Sequence, residues 1–221
     1  MQPITTPLSL IGEHVQLQPL TTAHASDLVR AASDGELWNM RVTSVPNADT
    51  VEAYIARALD EQAQGRALAY VVLDAHGEVV GSTRCCHIDW SLPRLEIGYT
   101  WYAQRVQRTA LNTEAKFLLL QQAFERFGCV AVELRTHAQN LRSRAAIERL
   151  GAKQDGVLRR HMRMPDGHLR DTVVYSILDS EWPPVRANLL WRLARGAEPS
   201  PGEHDRAVSR HEVHGGPGAT L

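Results

Sequence analysis

The chain is poor in the features that announce several whole classes of protein. Only three cysteines occur in 221 residues, Cys85, Cys86 and Cys129. An odd number without framework spacing excludes a disulfide scaffold and suits free thiols in a reducing compartment. Cys85 and Cys86 adjoin in a strand-like run, where successive side chains point to opposite faces; buried structural thiols are expected, not a redox pair. No apolar run approaches the roughly 20 residues of a membrane-spanning helix. Met1 to Leu10 lacks the charged segment and long apolar core of a secretory signal, so the expected location is cytoplasmic. Neither sign of charge dominates: 24 Lys and Arg face 25 Asp and Glu. A general binder of nucleic acid or membrane surface carries a basic excess. The clusters Arg142/Arg144 and Arg159/Arg160/Arg163 are all that speaks for nucleic acid, and neither nucleic acid nor membrane is expected as a partner. HExxH, paired CxxC and GxxxxGK[ST] patterns are missing, and His204, His211 and His214 lack ligand context, so no metal is expected. No internal repeat is apparent.

What is present suits one globular domain with an appendage. Apolar residues make up 43% and charged residues 22%, both ordinary values. A domain over 1–180, a helix over 181–196 and a disordered tail over 197–221 are expected, the tail being rich in Gly, Pro, His and charge. Along the domain, Val15–Leu20 reads as a strand, Thr21 or Thr22 caps a helix to about Ser33, and a loop from Gly35 to Asn47 carries Trp38, Met40 and Arg41. A second helix runs from Asp49 or Thr50 to about Gly65. Ala69–Leu73 and Val79–Ile88 form a hairpin around Asp74–Gly77. In the strand Arg94–Tyr102, period-2 alternation places Leu95, Ile97, Tyr99 and Trp101 on one face and Glu96, Gly98 and Thr100 on the other. The helix Asn112–Phe127 carries Ala115, Leu119, Ala123 and Phe127 in a core stripe and stops at Gly128. Val130, Val132 and Leu134 then face one way in a strand; Glu133, Arg135 and His137 face the other. Gln154–Met164 and Leu169–Leu178 form a hairpin around Pro165–Gly167.

Two helix starts carry the chemistry. The basic loop Gln104–Ala110 leads into Asn112-Thr113-Glu114-Ala115, where Asn112 reads as a cap and Glu114 suits the first turn. Free amide groups there welcome phosphate oxygens, and Arg105 and Arg108 add charge. The second start is Asn140, which caps the short cationic segment Leu141–Leu150 before Gly151. A solvated basic turn before an ordinary helix explains the first start taken alone. Together the two place several Arg side chains at one end of a sheet, which suits an anionic cofactor.

Glu96-Ile97-Gly98-Tyr99, the Asn112–Ala115 helix start and the block Asn140…Ser143…Ile147-Glu148…Gly151 resemble the GNAT acyltransferase superfamily, and within it the branch that includes the ribosomal-protein N-terminal acetyltransferases. The resemblance spans roughly residues 10–180. It implies an α+β fold with a mixed, mostly antiparallel central sheet flanked by helices. It implies direct transfer of an acetyl group from acetyl-CoA to a primary amine, with an acyl-CoA and an amine acceptor as partners and a homodimer left open. The family's pyrophosphate loop, Gln/Arg-x-x-Gly-x-Gly/Ala, matches with Arg105 first and Ala110 last, but Arg108 stands at the usual first glycine. The cofactor-binding set implied is Tyr99, Trp101, Tyr102, Arg105, Gln107, Arg108, Thr109, Ala110, Asn112, Thr113, Asn140 and Arg144. Ser143 matches the serine placed near the sulfur. Glu96 lies on the strand that often supplies the base, with Glu133 and His137 as alternatives. Trp38 and Arg41 are expected to help shape the acceptor pocket. The competing reading is a non-catalytic CoA-binding or CoA-sensing module on the same fold.

Overall fold

A computed structural model describes residues 6–40, 43–164 and 167–195. Arg41, the tip of the expected hairpin at Pro165–Asp166 and the expected tail lie outside the described residues. Eight strands form one sheet: β1 (Leu10–Ile11), β2 (Val15–Pro19), β3 (Leu68–Asp74), β4 (Val79–Asp89), β5 (Arg94–Tyr102), β6 (Ala131–His137), β7 (Lys153–Arg163) and β8 (Leu169–Leu178). Their order is β1-β2-β3-β4-β5-β6-β8-β7. Every pairing is antiparallel except β5 with β6. This is the α+β architecture expected from the sequence.

The helices are α1 (Ala25–Ser33), α2 (Val51–Ala63), α3 (Ala110–Gln121), α4 (Leu141–Arg149) and α5 (Trp182–Ala194). Cores lie on both faces of the sheet. The larger joins Leu68, Tyr70, Leu95 and Ile97 to Leu111, Ala115 and Leu119 of α3 and to Trp182, Val185 and Leu189 of α5. The smaller joins Val71, Leu73 and Trp101 to Leu28 of α1 and Ile55 of α2. Covered on both sides, β3 is buried along its whole length, which its unbroken apolar run anticipates. The helix expected at 181–196 is thus part of the main core.

Two helix starts differ in their detail. Asn140 caps α4, its Oδ1 accepting from Ser143 N at 3.1 Å. At α3 the cap is Thr109, in extended conformation, with Oγ1 accepting from Leu111 N at 3.3 Å. Asn112 and Thr113 therefore belong to the first turn. Glu114 does not serve the helix dipole in solvent; it is buried and accepts from the backbone N–H groups of Glu13 at 2.9 Å and His14 at 2.6 Å. It pins the turn between β1 and β2 onto α3. Glu114→Ala should lower unfolding free energy by about 1–3 kcal/mol, because it removes two hydrogen bonds to a charged, buried carboxylate. Chemical denaturation checks this, with Glu114→Gln expected to recover part of the loss.

Candidate active site

Two bulges and one broken ladder build the site. Between β4 and β5, Cys86 pairs with Glu96 and Asp89 with Arg94, so β4 holds one residue too many. His87 is the extra residue, with φ 50°. Further along, Arg84 pairs with Gly98 and Ser82 with Trp101. Here β5 holds the extra residue, at Tyr99 with φ 51°. A bulge interrupts alternation. Leu95 and Ile97 face the core under α3, while Trp101 joins the opposite core. The face expected to unite Leu95, Ile97, Tyr99 and Trp101 is therefore split.

The parallel pairing of β5 with β6 runs only from Arg94 with Ala131 to Glu96 with Glu133. Beyond Glu96, β5 is paired with β4 alone and β6 with β8 alone. An opening results. The strands run parallel, so α3, which follows β5, and α4, which follows β6, both begin at the open end. Helix N-termini gathered there favour an anionic ligand.

Glu96 and Glu133 mark the closed end of this opening. Glu96 is buried, and its Oε2 lies 2.9 Å from Nδ1 of His87 and 3.3 Å from Nε of Arg135. Glu133 is held by Arg94 and by Nη2 of Arg135 at 2.7 Å. Burial pushes the Glu133 carboxyl up, but the hydrogen bonds and charges of Arg135 and Arg94 outweigh it and hold it below the usual carboxylate range. That makes it a weak base. His137 is buried at the end of β6. Its Nδ1 accepts from Gln139 N at 3.0 Å, which places the neutral ring's proton on Nε2, 3.2 Å from Nε2 of His168. Burial, with Arg170 and His168 nearby, lowers its pKa. Both ring nitrogens are already engaged.

The loop before α3 is braced from two sides. Gln107 Nε2 donates to Tyr102 O at 2.9 Å. Arg105 reaches Glu78 at 2.6 Å and Asp74 at 3.4 Å, so its guanidinium already has acidic partners. Arg108 takes φ 63°, the left-handed region that favours glycine. The loop thus keeps a glycine conformation with an arginine in it. On α4, Arg144 Nε donates to the Tyr175 hydroxyl at 3.1 Å. The Tyr102 hydroxyl is buried without a hydrogen-bond partner among the described residues, the kind of group a ligand can satisfy.

Residues 14–153 match the Acetyltransferase (GNAT) domain family. The chain belongs to this GNAT family. It is 31% identical over 106 residues to the YdaF protein of Bacillus subtilis (strain 168), a candidate ribosomal N-acetyltransferase, covering 48% of this chain and 57% of that one. The chain thus spans little more than half of that relative's length. A solved candidate acetyltransferase from T. thermophilus is 34% identical, with TM-score 0.75 over 85% of this chain and 97% of that one. A GCN5-related N-acetyltransferase from Brucella melitensis is 30% identical, with TM-score 0.72 over 83% and 84%. Mycobacterium smegmatis RimJ, solved with CoA-disulfide, shares the fold at 22% identity and TM-score 0.71 over 82% and 90%.

On the other side of this GNAT sheet, the β4 and β5 bulges face α2. A cavity of about 240 Å³ is lined there by Arg57, Glu61, Arg66, Cys86, His87, Ile88 and Tyr99. Beside it Arg84 is 1% exposed, its guanidinium between the rings of Tyr54 and Tyr99 at 4.4 and 4.5 Å from their centroids. Under the β5 bulge, Lys116 of α3 is buried and donates to Thr100 Oγ1 at 2.8 Å; burial lowers its pKa to about 8. Trp38 packs against the smaller core. The three cysteines are free and buried, and burial lifts Cys85 to about 12 and Cys129 to about 11, consistent with structural thiols. His87, Arg84 and Lys116 escaped the sequence reading. Strict alternation would put His87 opposite Cys86, and no local signal marks the bulge that turns it.

No helix among the described residues is long and apolar enough to cross a membrane.

Proposed function

We propose that the chain is an acetyl-CoA-dependent N-acetyltransferase that transfers the acetyl group directly to a primary amine, either a protein N-terminus or a small-molecule amine. The opening between β5 and β6 carries this reading, with two helix N-termini at its mouth and a buried carboxylate at its closed end. The bound cofactor supplies the acyl group as an activated thioester. The N–H groups at the start of α3, from Ala110 to Asn112, together with Arg108, suit its pyrophosphate. Backbone of β5 from Gly98 to Tyr102, unpaired with β6, is free to hydrogen-bond the pantetheine arm, and an N–H there polarises the acyl carbonyl. Asn140 uses its side-chain oxygen as a cap and keeps its amide NH2 for the arm. The Ser143 hydroxyl, on the first turn of α4, donates to the departing sulfur. No covalent intermediate on the protein is needed.

An α-amine titrates near about 8, against about 10.4 for a lysine side chain. It therefore asks less of the base. Calorimetry with CoA and acetyl-CoA should show saturable binding, and thiol release should follow when a panel of amines and free-N-terminus peptides is added. Absence of binding at millimolar ligand would remove the assignment. Binding without release to any amine would leave a CoA-binding module instead.

A further inference from the structure

We propose that His87, held by Glu96, is the base that takes the proton from the acceptor amine, which enters through the cavity between α2 and the two bulges. This rests on the acetyltransferase reading above and names the group and the entry side that the reading leaves open.

The two side chains divide the task by exposure. Glu96 is buried, its side chain 10% exposed, whereas that of His87 is 65% exposed and lines the cavity. Nδ1 of His87 meets Glu96 Oε2 at 2.9 Å. With its proton on Nδ1, the ring leaves Nε2 as an acceptor, and that nitrogen makes no hydrogen bond among the described residues. Glu96 Oε2 is already shared with Arg135, so the carboxylate sits between two donors and is a poor destination for an amine's proton. An imidazole oriented by a buried carboxylate is a better one, because a base works best when it titrates near the operating pH.

The backbone is shaped for this contact. His87 sits in the left-handed region, at φ 50°, as the extra residue of a bulge, a device that re-aims side chains beside active sites. Such conformations persist where surrounding structure enforces them, and they cluster at functional sites. The bulge turns the imidazole to the face that carries Glu96 and Cys86. A Cβ placed on Gly98 would lie only 3.0 Å from Glu96 Oε1, so the carboxylate rests against the bulged backbone of β5. Tyr99, the bulged residue, lines the same cavity. His87 therefore adjoins the stretch of β5 whose N–H groups are free to face the acyl carbonyl. Charged groups also approach from the other packed elements: Glu61 and Arg57 from α2, Arg66 just after it, and Arg135 from β6. Glu61 is itself paired with Arg57 at 3.1 Å and with Arg84 at 3.7 Å. The hydrogen bond that His87 donates to Glu96 is the largest influence on His87 and raises its pKa above the ordinary histidine value, against the lowering by burial and by Arg135.

The step balances without a further reactant. The ammonium proton passes to Nε2 of His87 and then to solvent. The freed nitrogen pair forms the C–N bond at the acyl carbon and the C–S bond breaks; the nitrogen then sheds its second proton, and the departing sulfur gains one through the Ser143 hydroxyl, so that amide and thiol result. Rate should rise as His87 loses its proton, so the acidic limb of the pH–rate profile should sit above the ordinary histidine value.

His87→Ala, assayed in the full chain with acetyl-CoA and any amine the parent accepts, should lower turnover about 10²-fold and abolish that limb. Acetyl-CoA affinity should be kept, and added imidazole should restore part of the rate. NMR titration of the parent should place the His87 imidazole above the ordinary value, and Glu96→Gln should bring it down. A parental pH profile in His87→Ala, or a His87 titration indifferent to Glu96→Gln, would overturn the proposal. If the parent itself acetylates no amine, the acetyltransferase reading fails first and takes this role with it.

Discussion

Glu96→Gln should cut turnover by up to about 10²-fold, no more than loss of the His87 base that it orients, while acetyl-CoA binds as before. The substitution keeps the shape of the side chain and removes its charge. Imidazolium forming at His87, 2.9 Å away, then has no counter-charge, while Arg135 at 3.3 Å stays in place. The acidic limb should move to lower pH as His87 loses the partner that raises it, and the rate on the plateau should fall. Glu133→Gln provides the contrast. That carboxyl is held low by Arg94 and Arg135, so its ion pairs stabilise the fold above its unfolded pKa of about 4.3 and are lost as pH falls through the depressed folded value. Its removal should weaken the fold at neutral pH and leave the limb in place. Turnover measured from pH 5 to 9, with affinity measured separately, distinguishes chemistry from damage.

Gly81→Ala should destabilise the protein by about 4 kcal/mol or more, the range reached when a substitution forces a clash in a packed interior. A Cβ on Gly81 would meet Trp101 O at 2.2 Å and lie 3.2 Å from both Trp101 C and Tyr102 Cα. All three atoms are backbone of the neighbouring strand, so no side-chain rotation relieves the contact. The strands must part next to the β5 bulge, and a marginally stable domain has only about 5–15 kcal/mol in reserve. Gly156→Ala, where an added Cβ meets nothing within 4 Å, should be close to neutral. Denaturant midpoints of the two variants compared with the parent read this directly.

The sequence carried most of the architecture because strong periodicity and clear stops coincide in it. Arg94–Tyr102 appears with the ends expected for it. Asn140 caps the helix it was expected to cap. The start of α3 moved by two residues because Gln104–Val106 folds into a 3-10 turn, which leaves Thr109 extended and placed to cap. What could not be read was anything created by a bulge. An extra residue in β4 at His87 and another in β5 at Tyr99 depend on how two strands register, a tertiary property with no local code. Those bulges decide which side chains meet Glu96, and they divide the expected apolar face of β5 between two cores. The partners of Arg105, Glu78 and Asp74, were hidden for the same reason: they stand across a strand pair, about 30 residues away in the chain.

A structure of the full chain with CoA tests the central claim most directly. The account predicts the pantetheine arm in the opening between β5 and β6, its sulfur on the side of Ser143 and within reach of the Glu96–His87 pair, and its pyrophosphate against the N–H groups of Ala110 to Asn112. CoA bound elsewhere, or an opening closed by β5–β6 hydrogen bonds beyond Glu96, would contradict it.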